Sequence, residues 1–273
     1  MFLQNIFNDL SKEKNSEWNL IKQIKLIILY LQLTILIQSF KKLKLKNNPI
    51  YCAIDTNDIE QSISLIEKIK PSIGGIKLGL EFYTHCGIEG INQVKELGLP
   101  IFLDLKLFDI PNTTKSALQG ILRSEPELTT LHISGGSEML RECVETRNSN
   151  KSKTKLIGVT VLTSFSDKEI SEVGLSDTVN NQVVRLAKLA AINKLDGIVC
   201  SPQEIKIIKS EVKDDLKLIV PGIRSTDDNS NDQKRTMSAK EAIDAGADIL
   251  VIGRPITQAD DPSEAAFRIY KTL

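Results

Sequence analysis

From Pro49 to the end of the chain, short apolar runs alternate with longer stretches whose apolar residues recur every three or four positions. The longer stretches, such as IEQSISLIEKIK and VNNQVVRLAKLAAINK, have the spacing of amphipathic helices, and the short runs have the length of buried strands. This alternation is typical of repeated βα units around a parallel sheet. The strand-like runs are IYCAI, GGIKLG, IFLDLK, TTLHIS, LIGVTVL, GIVCS, LKLIVPGI and ILVIGR.

Eight βα units within residues 49–273 predict an α/β fold, a closed eight-stranded parallel βα (TIM) barrel rather than an open doubly wound sheet. In such a barrel the C-terminal ends of the strands form one rim, where the loops build the active site. Polar residues stand at or just after every predicted strand end, namely Asp55, Lys77, Asp104 with Lys106, His132, Thr163, Ser201, Arg224, and Gly253 with Arg254. We therefore expect these side chains to converge on one site.

The first 48 residues differ in composition from the rest of the chain, because they contain no Ala, Gly, Val, Pro or Arg. Their eight lysines and three acidic residues give a net charge of +5, against −5 for residues 49–273. The uncharged apolar run Leu26–Phe40 is shorter than the ~18–20 residues of a membrane-spanning helix, and no small-residue cleavage site follows it. We predict an N-terminal extension, 1–48, that is helical or poorly ordered, ahead of a barrel domain, 49–273. A membrane anchor is the less favoured alternative.

The overall charge and the cysteine pattern exclude several classes of partner. The 35 basic and 35 acidic residues balance, so the chain lacks the basic footprint of a protein that binds nucleic acid or an acidic membrane. Four cysteines without Cys-x-x-Cys spacing and two histidines indicate neither a disulfide framework nor a zinc site. Cys52 and Cys200 lie in apolar runs and are predicted to be buried free thiols. We expect a cytoplasmic protein that binds a small molecule and uses no metal or cofactor.

The third predicted strand carries charges where a buried strand should have none. The segment FLDLKLFDIPNTT contains Asp104, Lys106 and Asp109. An ionised side chain taken out of water is costly unless it is paired, so folding alone does not explain these residues. Because residues two apart on a strand face the same side, Asp104 and Lys106 are predicted to point together into the barrel mouth. A purely structural ring of ion pairs is the alternative.

The segment after this strand predicts a turn and a helix. Pro111 is suited to set the turn, and Asn112 or Thr113 is suited to cap the helix that follows. His132, in LHISGG, is predicted to be either a core histidine or a residue that supports the site.

The last two βα units predict a phosphate site, because the loops after the seventh and eighth strands of such barrels commonly bind phosphate. Gly253 allows the backbone to approach an anion closely, and Arg254 offers a bidentate fork. Between Arg224 and Met237 lies the polar, aperiodic segment STDDNSNDQKRT. It is long for a simple connection and predicts a lid, with a disordered surface insertion as the alternative.

The segment FLDLKLFDIPNT resembles the signature of the orotidine 5'-phosphate decarboxylase family, whose members make UMP in pyrimidine synthesis. The segments AID, IKLGLEFY, VTVLTS, PGIR, NDQKR and VIGRPIT also resemble motifs of that family, in the same order. The resemblance covers about residues 50–270. It implies a lyase with a TIM-barrel fold that acts as a homodimer with shared active sites.

The resemblance also implies roles for individual residues. Lys106 would be the proton donor, and Asp104 would lie against the carboxylate of the substrate. Asp109 would reach into the active site of the neighbouring subunit, with Thr113 in the same shared segment. For the rest of the substrate, the resemblance implies that Asp55 and Lys77 bind the ribose and that Lys77 also orders the charged row. Thr163 and Ser164 would contact the pyrimidine. The phosphate would be bound by Arg224, Gln233, Gly253 and Arg254, with Gln233 on a mobile loop.

The chemistry of decarboxylation accounts for these residue types. Loss of carbon dioxide leaves a carbanion with no adjacent carbonyl group, which a fixed cation stabilises and can then protonate. Two alternatives stay open. One is a metal-dependent sugar-phosphate decarboxylase or aldolase of the same barrel superfamily, against which DIPNT, PGIR and NDQKR argue. The other is a non-catalytic nucleotide-phosphate binder, against which the complete set of charged positions argues.

Overall fold

The computed structural model describes residues 24–32, 48–212, 216–224 and 237–273. The chain divides into two compact units, Met1–Asn47 and Asn48–Leu273. In the first unit residues 24–32 form a helix, and the remainder of that unit lies outside the described residues. Within the described ranges, no helix has the length and apolar character needed to cross a membrane.

The second unit is a closed barrel of eight parallel strands that follow one another around the barrel in chain order. Strand β8 pairs with β1 and places Val251 opposite Tyr51, which closes the ring. The predicted eight-stranded TIM barrel is therefore confirmed. The strands are β1 (Ile50–Ile54), β2 (Gly75–Leu78), β3 (Ile101–Leu107), β4 (Leu128–His132), β5 (Lys155–Val159), β6 (Gly197–Val199), β7 (Lys217–Val220) and β8 (Ile249–Ile252).

Helices follow each strand. In α2 the backbone leaves helical geometry at Gly87, whose φ is 61°, so two helical segments meet there at a kink. Short 3-10 turns lie at Lys70–Ser72, Ile133–Gly135 and Pro202–Glu204. The α-helices of the barrel unit are α1 (Ile59–Ile69), α2 (Leu80–Lys95), α3 (Pro111–Leu122), α4 (Gly136–Ser149), α5 (Asp167–Glu172), α6 (Val179–Ile192), α7 (Ile205–Glu211), α8 (Ala239–Ala245), α9 (Arg254–Thr257) and α10 (Pro262–Lys271).

Two apolar layers stabilise the barrel. One continuous core lies between the strands and the helices, and it includes the fully buried Cys52 and Cys200, as predicted. Burial raises the pKa of the Cys52 thiol, which keeps it protonated. The second layer consists of Tyr51, Phe102, Leu128, Ile157 and Ile219, which fill the barrel interior. This inner layer leaves no room for a ligand in the middle of the barrel, among the residues that the structure describes.

Asn48 secures the seam at which the barrel closes. Its side-chain oxygen accepts a hydrogen bond from the Ile50 amide at 3.0 Å, and its side-chain nitrogen donates to the Ser72 carbonyl at 2.8 Å. The next carbonyl, that of Pro49, accepts from the Leu250 amide at 2.8 Å. Because Asn48 is only 4% exposed, water cannot replace these partners. The structural requirements of the barrel thus begin at residue 48.

A protein that begins at residue 48 should fold as the full chain does, because all eight strands and the Asn48 hydrogen bonds are retained. We expect one cooperative thermal transition with a Tm within about 2 °C of that of the full chain. A protein that begins at residue 50 is the matched control. It loses three hydrogen bonds worth about 1 kcal/mol each, the two of the Asn48 side chain and the one to the Pro49 carbonyl, which corresponds to a Tm lower by about 6–12 °C. A large fall in Tm on removal of residues 1–47 alone would contradict this division of the chain.

Candidate active site

The C-terminal ends of the strands surround a cavity of about 550 Å³. Apolar residues of the strands, including Ala53, Val159, Val199 and Val251, form part of its wall. Most of the polar residues predicted to converge at the rim do meet here. The predicted site residues that line the cavity are Asp55, Lys77, Asp104, Lys106, Thr163, Arg224, Gly253 and Arg254.

Other predicted site residues lie elsewhere. Ser164 is exposed and does not line the cavity. Ser201 is fully buried, and its amide donates to the Glu204 carboxylate at 2.8 Å, so it starts a 3-10 turn beneath the rim. Gln233 and the predicted lid, residues 225–236, lie outside the described residues. Most of the predicted site residues in the described part of the chain therefore line the cavity, and Ser164 and Ser201 do not.

Asp104 and Lys106 form an ion pair at the mouth of the barrel. Lys106 Nζ lies 2.8 Å from Asp104 Oδ2, and the two side chains are 33% and 12% exposed, respectively. The second oxygen of the carboxylate, Oδ1, accepts a hydrogen bond from Thr130 Oγ1 at 3.0 Å. Both partners offset the cost of burying the Asp104 carboxylate. A cation is thereby held at the cavity wall in one position.

Asp104 and Lys106 both line the cavity, as predicted, but β3 does not keep the regular ladder on which that prediction relied. Leu103 lies opposite Thr129 and Leu107 lies opposite Leu131, so four positions of β3 are matched to two positions of β4. Within this irregular stretch Lys106 has a φ of 50°, in the left-handed region that residues other than glycine rarely adopt. Such bulges redirect side chains next to active sites. The ion pair thus lies on an irregular stretch of β3.

A second ion pair joins the first two strands. Lys77 Nζ, from β2, lies 2.9 Å from Asp55 Oδ1, just after β1. A Cβ atom on Gly79 would come within 2.9 Å of Lys77 Nζ, so the glycine leaves the space that this pair occupies. In the described part of the chain no ion pair joins Lys77 to Asp104. The two acid–lysine pairs are therefore separate, and each is held by its own pair of neighbouring strands.

The last two units provide a cationic wall. Arg224 follows β7, and its amide donates to the Met237 carbonyl at 3.0 Å. Gly222, two residues earlier, has a φ of 79° and turns the chain at the cavity edge. Gly253 precedes α9, and a Cβ there would only touch that of Ala53 at 3.5 Å. The space beside the Gly253 backbone is therefore open, in keeping with a ligand that approaches it.

His132 packs behind the Asp104–Lys106 pair and does not line the cavity. Its ring lies 5.3 Å from the Phe108 ring at an interplanar angle of 32°. Its Nδ1 atom is buried and has no hydrogen-bond partner among the described residues. Burial and, to a smaller extent, the Lys106 ammonium lower the pKa of His132. Of the two predicted interpretations, this position fits a residue that supports the site.

The loop after β3 projects from the barrel. Phe108 and Ile110 are 61% and 67% exposed, and Asp109 between them is also exposed. Among the described residues Asp109 Oδ1 accepts a hydrogen bond from the neighbouring Ile110 amide alone, at 2.7 Å, and Asp109 does not line the cavity of its own chain. Thr113, which is exposed in the first turn of α3, also does not line the cavity of its own chain.

The prediction of Asn112 or Thr113 as the cap of this helix is wrong. Helix α3 begins at Pro111, and Ile110 occupies the N-cap position without a side-chain hydrogen bond. Proline is favoured at the first helical position because its ring fixes a helical φ and it has no N–H to satisfy. The apolar Ile110 at the cap is thus left facing solvent.

Sequence reasoning did not identify Thr130, Glu81, Thr257 or Gln258. The last three line the cavity. Glu81 lies inside the motif IKLGLEFY, and Thr257 ends the motif VIGRPIT, directly before Gln258, so these motifs could have indicated them. Thr130 stands two residues before His132 and so faces the same side of β4. Among the described residues, no cluster of three or more His, Cys, Asp or Glu side chains could hold a metal ion.

The fold and the cavity define a TIM-barrel enzyme with two acid–lysine pairs and two arginines at its mouth. Residues 48–269 match the model of the Orotidine 5'-phosphate decarboxylase / HUMPS family. The chain belongs to this family.

Named relatives match this chain over nearly their whole length. The chain is 46% identical over 226 residues to an orotidine 5'-phosphate decarboxylase of Wolbachia pipientis, which covers 83% of this chain and 99% of that protein. It is 46% identical over 231 residues to one of Paramagnetospirillum magneticum, covering 83% and 98%. The crystal structure of orotidine 5'-phosphate decarboxylase from Lactobacillus acidophilus has a TM-score of 0.73 and 33% identity, and the match covers 82% of this chain and 98% of that one.

The lowered pKa of His132 predicts a specific pH dependence of stability. The unfolded chain takes up this proton near the ordinary pKa of about 6.5, whereas the folded chain takes it up only at lower pH. Stability from this group is therefore present above about pH 6.5 and is lost as the pH falls below it. His132→Asn should lose less unfolding free energy than the wild type between pH 7.5 and 5, measured by urea denaturation. His85→Gln, which removes an exposed histidine, is the control, and an unchanged slope in His132→Asn would contradict the assignment.

Proposed function

We propose that the chain removes the carboxylate of orotidine 5'-phosphate and releases UMP, the last step of de novo pyrimidine biosynthesis, with Lys106 as the proton donor. Family membership over residues 48–269 and relatives that are matched over 98–99% of their own length support the reaction. The observation that carries the residue assignment is the ammonium of Lys106, held 2.8 Å from Asp104 at the wall of the barrel cavity. The reaction uses no metal and no cofactor.

In the proposed complex the substrate spans the cavity. The phosphate binds at Arg224, Arg254 and the backbone at Gly253, where cations and a close backbone approach suit an anion. The separate Asp55–Lys77 pair binds the ribose hydroxyls, since together it offers a charged acceptor and a charged donor 2.9 Å apart. Thr163 and Ser164 bind the pyrimidine, and Gln233 adds a phosphate contact. Binding energy gained at the phosphate can then offset the cost of holding the substrate carboxylate against Asp104.

At the reacting end the substrate carboxylate lies against Asp104. The bond between the pyrimidine carbon and the carboxylate breaks, carbon dioxide leaves, and the electron pair stays on the ring carbon. The adjacent Lys106 ammonium stabilises this charge and then transfers one proton to the carbon, which completes UMP. The protein regains the proton from solvent when the product leaves.

We further propose that the enzyme is a cytoplasmic homodimer in which Asp109 of each chain completes the site of the other. Asp109 is exposed, lies outside its own cavity, and stands between the exposed apolar side chains of Phe108 and Ile110. Exposed apolar side chains grouped at a loop tip are typical of a surface that another chain covers. A two-fold contact places the same loop from each chain at the other's cavity. Thr113, in the first turn of α3, belongs to the same proposed contact.

Lys106→Ala should abolish nearly all decarboxylation, because it removes the cation and the proton donor together. Loss of one positioned general acid alone costs about 10²–10⁴-fold in rate. The measurement is the loss of orotidine 5'-phosphate absorbance in the presence of a chelator. Lys115→Ala, which breaks a surface ion pair with Glu142, is the matched control and should keep wild-type activity. A Lys106→Ala rate above about a tenth of wild type, or a wild-type rate that needs added magnesium, would contradict the proposal.

Asp109→Ala and Lys106→Ala proteins should each be nearly inactive, and mixing them should restore activity. In a mixed dimer one site has both defects, while the other combines an intact Lys106 with the partner's intact Asp109. Random exchange makes about half of the dimers mixed, so about a quarter of wild-type activity should return.

Mixing Asp104→Ala with Lys106→Ala is the control for this exchange. Both of these residues belong to the same chain's cavity, so every site of a mixed dimer keeps one defect and no activity should return. If the Asp109→Ala mixture also stays inactive after subunit exchange is demonstrated by mass, the shared site is wrong.

A further inference from the structure

We propose that Thr130 is a positioning residue whose hydroxyl fixes the geometry between Asp104 and Lys106. The inference rests on the proposed function of that pair. Thr130 lies on β4 with no exposed surface. Its Oγ1 atom accepts a hydrogen bond from the Lys106 amide at 2.8 Å and donates one to Asp104 Oδ1 at 3.0 Å. One buried hydroxyl therefore contacts both members of the ion pair.

The direction of each hydrogen bond follows from the chemistry of the groups. A backbone amide can only donate, so the Thr130 oxygen must accept from Lys106. The single hydroxyl hydrogen is then available for Asp104, whose ionised carboxylate can only accept. Asp104 Oδ2 accepts in turn from Lys106 Nζ at 2.8 Å. The three residues form a closed ring of hydrogen bonds in which every polarity is determined.

The irregular course of β3 is the reason that a side chain is needed at this point. Between Leu103 and Leu107 the register with β4 is lost, and Lys106 adopts its positive φ. In a regular ladder the Lys106 amide would donate to a carbonyl of the neighbouring strand, and a buried amide left without an acceptor is costly. Thr130 Oγ1 supplies the acceptor within β4. The unusual backbone of the lysine is thus held by the same atom that holds the aspartate.

Loss of this hydroxyl should affect the chemical step more than substrate binding. The Asp104 carboxylate could rotate about its Cβ–Cγ bond, and the Lys106 backbone could relax toward an ordinary φ. Either change moves Nζ relative to the reacting carbon, and a misplacement of about 1 Å can cost on the order of a hundredfold in rate. The proposed phosphate and ribose contacts come from other strands, so ground-state binding should change little.

The test compares Thr130→Val, which keeps the shape and removes the hydroxyl, with Thr130→Ser, which keeps the hydroxyl. Thr129→Val is a matched control on the adjacent position of the same strand. Thr129 is also fully buried, but its Oγ1 has no hydrogen-bond partner among the described residues. We expect Thr130→Val to lower kcat by about ten- to a hundredfold, with KM for orotidine 5'-phosphate and Kd for UMP within about threefold of wild type. Thr130→Ser should regain most of kcat, and Thr129→Val should match wild type.

The outcomes separate this inference from the proposed function. An inactive wild-type protein would overturn both. An active wild type with unchanged kcat in Thr130→Val, or an equal loss in the Val and Ser variants, would overturn the positioning role alone. If Thr130→Val does not fold, Thr130→Cys replaces the hydroxyl by a weak thiol donor and acceptor of similar size. The kcat of Thr130→Cys should be well below that of Thr130→Ser. Equal kcat values for the two variants would likewise contradict the inference.

Discussion

The central physical constraint in this structure is the burial of an ion pair at the end of a barrel strand. A carboxylate that is almost enclosed by protein needs partners for both oxygens, and Asp104 has Lys106 on one and Thr130 on the other. In a regular parallel ladder the Lys106 amide would donate to a carbonyl of β4 and not to the Thr130 hydroxyl. Strand β3 instead loses register with β4, and Lys106 adopts a positive φ. The site thus depends on one irregular stretch of β3, while the remaining strand pairs keep the barrel closed.

The barrel distributes the parts of the site over separate structural units. The Asp55–Lys77 pair depends on β1 and β2, whereas the Asp104–Lys106 pair depends on β3 and β4. The arginines follow β7 and enter α9. Apolar residues fill the interior below them, so these polar groups are held at one end over a rigid floor. The separation permits the proposed mechanism to bind phosphate and ribose without disturbing the charges at the reacting carbon.

The fold and most of the cavity lining could be predicted from sequence, because strand length, helical spacing and strand-end polarity are local features. The position of Thr130 could not, since nothing in TTLHIS distinguishes a threonine that contacts an ion pair from its neighbour Thr129, which does not. The loss of register in β3 also could not be predicted, because regular alternation along a strand already accounts for Asp104 and Lys106 facing the same side. The helix cap was misjudged for a related reason. Polar Asn112 and Thr113 suggested a cap, but the fixed φ of Pro111 sets the start one residue earlier.

The same departure from the sheet also connects chemistry with the proposed assembly. Because β3 ends irregularly, the next residues leave the barrel wall, and Phe108, Asp109 and Ile110 project from it. His132 links this loop to the ion pair, since its ring lies 5.3 Å from that of Phe108 and its pKa is lowered in part by the Lys106 ammonium. A shift of the loop in the proposed dimer would therefore change the surroundings of Lys106 through His132. In the proposed dimer, donation of Asp109 to the partner and orientation of Lys106 within its own chain would both depend on this one continuous segment, which links the chemistry to the assembly.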